Sequence, residues 1–363
     1  MANARPSPRP SRGATINRES ARFNLPQTEA DGDWLDARDE IDGAPPPLRT
    51  SVTVERPKTI ISRNVSPDLP FDRSINPYRG CEHGCIYCFA RPTHAFHDLS
   101  PGLDFETKLF AKPDAAALLR AELSKPSYTC GPIAMGTNTD PYQPIEREWR
   151  VTRGVIEVLA ECDHPLVITT KSDRVVRDID LLGPMAAKGL VAVAISVTSL
   201  DSRIAMTIEP RAPHPERRLT AVRRLSDAGI PIYVNMAPVI PAITDHEVEA
   251  IVARAAEAGA LGVSFIPVRL PWEVAPLFRA WLDEHFPDRA GKVMATIQSL
   301  RGGERDNDPG FFTRMRGQGP WGELLRARFL IARKRSGIDR NREKMRLRTD
   351  LFRPPRGDQG ELF

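Results

Sequence analysis

The stretch Asn76-Pro-Tyr-Arg-Gly-Cys81-Glu-His-Gly-Cys85-Ile-Tyr-Cys88-Phe89 brings three thiols into one short segment, spaced CxxxCxxC, with the aromatic Tyr87 directly before the third. Three thiolates on one loop can hold three irons of a [4Fe–4S] cluster. Such clusters normally draw four cysteines, so the fourth iron is left without a protein ligand and can bind a substrate or cofactor. The competing reading is a zinc site that takes its fourth ligand from His83, His94 or His97. Zinc pairs usually come as two CxxC-like knuckles, and the chain holds no second knuckle. The other two of the five cysteines, Cys130 and Cys162, are expected to be ordinary buried small residues, one before a strand and one at a helix end.

Further polar groups stand where apolar runs end. Gly136-Thr-Asn138-Thr139-Asp140-Pro follows one run, Thr169-Thr-Lys171-Ser another, and Ser196-Val-Thr-Ser a third. A lysine there can neutralise a carboxylate as a compact point charge, and a serine can add a hydrogen bond. Asp140-Pro141 equally suits the start of a turn. Downstream, Glu209 can meet ribose hydroxyls and Arg211 a carboxylate or phosphate, or the two can form a surface ion pair.

The elements that must position these groups alternate. Strands are expected at 74–79, 132–137, 166–170, 191–197, 232–237 and 263–268. Helices are expected at 113–124, 152–162, 174–188, 215–228, 246–258 and 273–285, with Gly189, Gly229 and Gly259 as stops. Strand–helix alternation predicts an α/β fold, a partial (βα)6 TIM-type barrel over 74–285, preceded by a lead-in over 51–73. In such barrels the loops converge at the carboxyl ends of the strands, which places the cysteine loop, Asp140, Lys171 and Ser196 at one rim. Residues 1–50, rich in Pro, Arg and Asp, are expected to be disordered. Residues 286–363 are expected to form a basic, largely helical extension built on an amphipathic segment at 321–334, with a flexible tail.

The whole chain sets the bounds. Its 363 residues, 41% of them apolar, suffice for one large core. The cysteines do not form the even, spread set of a secreted disulfide framework. The longest apolar run, 190–197, is far short of a membrane span, so a cytoplasmic protein with no membrane contact is expected. Net charge is +4, yet residues 311–363 carry fourteen Lys/Arg against six Asp/Glu, the kind of patch that can bind nucleic acid or simply form a solvated helix face.

The cysteine loop, Tyr87 included, resembles the signature of the radical S-adenosylmethionine (SAM) superfamily, and residues 75–271 resemble its spore photoproduct lyase branch. The resemblance implies a [4Fe–4S] cluster on Cys81, Cys85 and Cys88, SAM chelated to the open iron, and reductive cleavage to a 5′-deoxyadenosyl radical. An electron donor such as flavodoxin or ferredoxin would supply the reducing equivalent. It implies that Tyr87 packs near the adenosine, that Asn138, Thr139 or Asp140 receives the methionine amine, and that Lys171 and Ser196 contact SAM. The branch also has a hydrogen-donating cysteine close before the acid of its second-strand loop. This chain has Thr137-Asn138-Thr139-Asp140 there, with no thiol, which argues against thymine-dimer repair. The wide mouth of a partial barrel and the basic terminus suit a nucleic acid as substrate, with a peptide or small metabolite as the alternative. A noncatalytic iron–sulfur or zinc module is the reading from another class.

Overall fold

The computed structural model describes residues 12–18, 20, 22, 48–338 and 346–355. Its strands are β1 (Ser51–Val54), β2 (Ile61–Arg63), β3 (Arg73–Ile75), β4 (Tyr78–Arg79), β5 (Lys108–Ala111), β6 (Ile133–Met135), β7 (Leu166–Thr170), β8 (Val191–Ser196), β9 (Ile232–Val239) and β10 (Gly262–Pro267). The helices that matter here are α1 (Ala115–Leu123), α2 (Val151–Glu161), α3 (Ile179–Ala187), α4 (Ser202–Ile208), α5 (Pro215–Asp227), α6 (Val248–Glu257), α7 (Val274–His285), α8 (Pro287–Leu300) and α9 (Gly319–Arg335).

Seven strands form the main sheet in the order β10-β9-β8-β7-β6-β3-β2. The six from β3 to β10 run parallel, and β2 adds an antiparallel edge. The two end strands do not pair with each other, so this is the open, six-unit α/β arrangement expected. Strand β8 shows why it forms. Its sequence VAVAIS is buried throughout, with Val191, Val193 and Ile195 in the core that also holds Leu159, Leu182 and Leu225 of the surrounding helices. Alternation along a strand turns the small Ala192, Ala194 and Ser196 to the opposite, lumenal face.

Several boundaries differ from expectation. The segment 74–79 splits into β3 and β4, because Pro77 has no amide hydrogen to continue a ladder. Strand β9 runs past the expected end to Val239, and the helix expected at 174–188 opens as a 3-10 turn over Asp173–Asp178. Helix α8, inside the extension expected to be largely helical, buries Val293, Met294, Ile297 and Leu300. Cys130 is half-buried rather than buried, while Cys162 lies in the core. Gly189, Gly229 and Gly259 do follow helix ends, each with positive φ.

The segment expected to be disordered, 1–50, and the expected flexible tail lie largely outside the described residues. The part around 12–22 that is described forms a strap over the cysteine loop. Gly13 and Ala14 donate their N–H groups to the Glu106 carboxylate at 2.9 and 2.8 Å, and Arg22 reaches Glu273, just after β10, at 2.8 Å. Among the described residues no helix is long and apolar enough to cross a membrane.

Candidate active site

The cysteine loop leaves β4 at the rim where the carboxyl ends of the parallel strands meet, and it is pinned from several directions. Cys81 N–H donates to the Phe105 carbonyl at 2.9 Å, and Ile86 N–H to the Ile208 carbonyl at 3.1 Å. Thr139 and Gln143 both donate to the Gly80 carbonyl, at 2.6 and 3.1 Å. Beneath the loop, the fully buried Arg91 spreads its guanidinium over the carbonyls of Gly84, Cys85, Pro101 and Gly102, and pairs with the equally buried Glu106 at 2.5 Å. Gly84 must be glycine. Its φ is +66°, and a Cβ would fall 2.9 Å from the Glu106 carboxylate.

Cys81 and Cys85 are buried and Cys88 is partly exposed. Burial pushes the Cys85 thiol up to about 12 and Cys81 well above its usual range, so metal binding must displace their protons. The histidines proposed as a fourth zinc ligand have other neighbours. His83 Nδ1 lies 3.3 Å from Asp140, His94 Nε2 is 2.9 Å from the Lys108 carbonyl, and His97 packs on Phe110. Among the described residues no three His, Cys, Asp or Glu side chains form a group suited to a single metal ion.

Around the loop the sequence-derived residues converge. Asp140 accepts hydrogen bonds from Thr170 Oγ1 at 2.7 Å and Lys171 N–H at 2.8 Å. Burial would raise its pKa, but His83 and these donors bring it to about 2. Lys171 Nζ sits 5.6 Å from the centre of the Tyr87 ring, and among the described residues no acceptor lies within hydrogen-bond reach of it. Against burial, which would lower it, Cys85 and Glu209 hold its pKa at about 12, so the ammonium is charged at neutral pH. Ser196 is buried at the end of β8.

Glu209, expected to meet ribose hydroxyls, accepts from the Tyr87 hydroxyl and from Thr198 at 2.6 Å, and pairs with the buried Arg218 at 2.5 Å. Burial pulls its pKa up, and Arg218 and Lys171 more than offset this, leaving it near 2. It is a buried anion that fixes the Tyr87 ring. Arg211, partly exposed, forms an ion pair with the buried Glu82 of the cysteine loop at 3.0 Å. Asn138 is tethered by its backbone N–H to Asn76 at 2.9 Å, and Thr139 is turned towards Gly80. Asp140 is therefore the member of that trio with a carboxylate beside both His83 and Lys171. Arg91, Glu106, Gln143, Thr198 and Arg218 were not anticipated.

A family model described as the radical SAM superfamily matches residues 75–255. The chain belongs to the radical SAM superfamily, whose proteins bind a [4Fe–4S] cluster and SAM. An uncharacterized protein of Mycobacterium tuberculosis is 39% identical over 222 residues, 61% of this chain and 65% of the relative, so the similarity leaves about a third of that protein unmatched. An uncharacterized protein of Methanocaldococcus jannaschii is 30% identical over 173 residues, 48% of this chain and 62% of its own length. In fold the chain is similar to spore photoproduct lyase complexed with dinucleoside spore photoproduct, with a TM-score of 0.54, 16% identity and coverage of 78% of this chain and 79% of that one. A mutant of the lyase with bound AdoMet and the same photoproduct gives 0.53 at 15% identity, covering 84% and 91%.

Proposed function

We propose that this chain is a radical SAM enzyme in which Cys81, Cys85 and Cys88 hold a [4Fe–4S] cluster and Lys171, Ser196, Asp140 and Tyr87 form the SAM pocket. The observation that carries the reading is a three-thiol loop, clamped by buried charge, beside a charged lysine with no acceptor in reach among the described residues. The donor set fits the cluster: three soft thiol ligands on one loop, and among the described residues no fourth thiol beside them. A cluster held by these three thiols would supply the one-electron reduction of the SAM sulfonium that yields methionine and a 5′-deoxyadenosyl radical able to take hydrogen from a substrate. The protein's own part is electrostatic and steric. Lys171 neutralises the methionyl carboxylate, Asp140 accepts from the amine, and Glu209 holds Tyr87 as a rigid wall for the adenosine.

Anaerobic reconstitution with iron and sulfide, followed by reduction in the presence of SAM, tests this reading. Formation of 5′-deoxyadenosine is expected. Cys81→Ala, Cys85→Ala and Cys88→Ala should each abolish it together with the cluster absorbance, while Cys130→Ala and Cys162→Ala should keep both. Stoichiometric zinc with negligible iron in anaerobically purified protein would end the proposal. A ferredoxin or flavodoxin would serve as electron donor.

For the substrate, nucleic acid is supported by the basic residues of 311–363 and by the dinucleoside held by the lyase of similar fold. Against it, part of that charge is neutralised locally, in Arg314–Asp68 at 2.5 Å and Arg328–Glu249 at 2.6 Å. Binding through phosphates would weaken steeply as salt is raised, because counterions are released. A shallow salt dependence would favour a small metabolite, the alternative to which a cavity between the sheet and α9 also points.

A further inference from the structure

In closed βα barrels the lumen is packed by bulky branched side chains. Here the lumenal positions of β8 and β10 carry Ala192, Ala194, Gly262 and Ser264, and a cavity of about 730 Å³ remains. Its walls are the lumenal faces of β7–β10 on one side and, beyond the unpaired edge of β10, the Met315–Arg316 turn and α9 on the other. That volume falls in the range of small-molecule sites, which are mostly apolar with a few fixed polar groups. The cavity reaches the active-site layer, since its lining residue Asn235 is the register partner of Ser196.

The charge of the lining is one-sided. Arg316, Arg326 and Arg333 contribute to it, and no Asp or Glu does. Arg326 donates to the carbonyls of Arg316 and Gly317 at 3.4 and 3.1 Å, and among the described residues neither Arg316 nor Arg326 has a carboxylate within ion-pair distance. The body of the cavity is apolar and aromatic, with Tyr233, Phe265 and Phe329 around it; Phe265 and Phe329 pack at 4.7 Å. The Tyr233 hydroxyl is buried there, and among the described residues it has no hydrogen-bond partner.

We propose that this cavity is the substrate site of the enzyme and that it takes a small molecule with an apolar or aromatic body and one anionic group, a phosphate or a carboxylate, held by Arg316 and Arg326. The assignment as substrate site rests on the radical SAM reading; the preference for an anion rests on the lining alone. Guanidinium groups recognise both anions through paired N–H donors, and an uncompensated cation beside an apolar wall disfavours neutral and cationic occupants.

The test measures binding to the full-length reconstituted protein by equilibrium dialysis, using matched probes: phenyl phosphate against phenol, and 3-phenylpropionate against 3-phenylpropanamide. At least one anion is expected to bind tenfold or more tighter than its neutral counterpart, and the pair with the larger ratio identifies phosphate or carboxylate as the group read. In the double variant R316Q/R326Q the ratio should fall to near one. Should the double variant prove unstable by thermal melting, Arg316→Gln alone is used, as this side chain is exposed on a turn, and at least a threefold loss of the ratio is expected. Equal binding of both members of each pair, no binding of any probe, or an unchanged ratio in the arginine variants would overturn the proposal. These results are independent of SAM cleavage: a protein that discriminates anions but forms no 5′-deoxyadenosine would refute the enzymatic reading and leave the anion site standing.

Discussion

Lys171 is the side chain whose removal best separates binding from assembly. Its backbone N–H is spent on Asp140, while its ammonium stands beside the Tyr87 ring with no acceptor in reach among the described residues. Hydrogen bonds to charged groups contribute about 1.5–3 kcal/mol. Lys171→Gln should therefore raise the KM for SAM by roughly tenfold to a hundredfold. The cluster should remain, because Lys171 touches none of the carbonyls that hold the loop, and an unchanged iron content with an altered KM is the result to look for. Loss of iron along with affinity would reassign Lys171 to supporting the loop. The three cysteines and Lys171 stand out in the sequence because the signal is local: ligand spacing within one loop and a cation at a strand end. The surroundings of Glu209 do not. What determines it, Tyr87 from 122 positions away and Arg218 from the next helix, is invisible to any local pattern.

The elements were legible wherever apolar periodicity decided them. Strands β7 to β10 and helices α1, α2 and α5 lie within a few residues of expectation, as their apolar stripes have to face a common core. Helix α8 falls in the 286–363 extension expected to be largely helical, where only the 321–334 segment is given bounds; its Val293, Met294, Ile297 and Leu300 follow helical spacing and are buried. Buried charge is the other blind spot. Arg and Glu are mostly exposed in proteins, so nothing in the sequence marks Arg91 and Glu106 as the support beneath the cysteine loop. Their pairing predicts a sharp asymmetry. Arg91→Met would strip the counter-charge from a fully buried carboxylate, leaving it the Gly13 and Ala14 N–H groups, and should cost about 3–5 kcal/mol in chemical denaturation, as breaking a buried pair does. The same change frees the Gly84 and Cys85 carbonyls, so the cluster should be lost faster in air than from the parent protein. Arg91→Lys, which keeps the charge but not the four-way fan of donors, should restore part of the stability and little of the cluster lifetime.

At the scale of the whole molecule, chain segments remote in sequence cover the open sheet, and one of them is controlled by a titratable group. Residues 346–355 dock through Phe352, whose ring meets His164 at 5.3 Å and Tyr128 at 5.5 Å, and through Arg353 N–H, which donates to the Cys162 carbonyl at 2.9 Å. His164 is fully buried. Its Nδ1 faces the Pro165 carbonyl at 3.0 Å and must donate, so Nε2, 2.7 Å from the Tyr128 hydroxyl, is left to accept. Protonation would turn that acceptor into a second donor. Burial accordingly lowers the His164 pKa from 6.5 to about 4, the Pro165 carbonyl opposing the shift only in part. Between these values the unfolded chain binds the proton and the folded chain does not, so stability is fully present above pH 6.5 and falls as pH drops towards 4. The loss from this one group at pH 4.5 is roughly 2–3 kcal/mol. His94, held at about 4 mainly by its own burial, contributes in the same direction, so the comparison must be with a variant rather than with pH alone. Urea unfolding of the protein and of His164→Gln at pH 7.5 and 4.5 isolates the term. The variant should be less stable at pH 7.5, where the Tyr128 contact is lost, and its further loss on acidification should be smaller than the parent's by roughly 2–3 kcal/mol. Parallel losses in the two proteins would mean that His164 is not the group that makes the docked tail sensitive to acid.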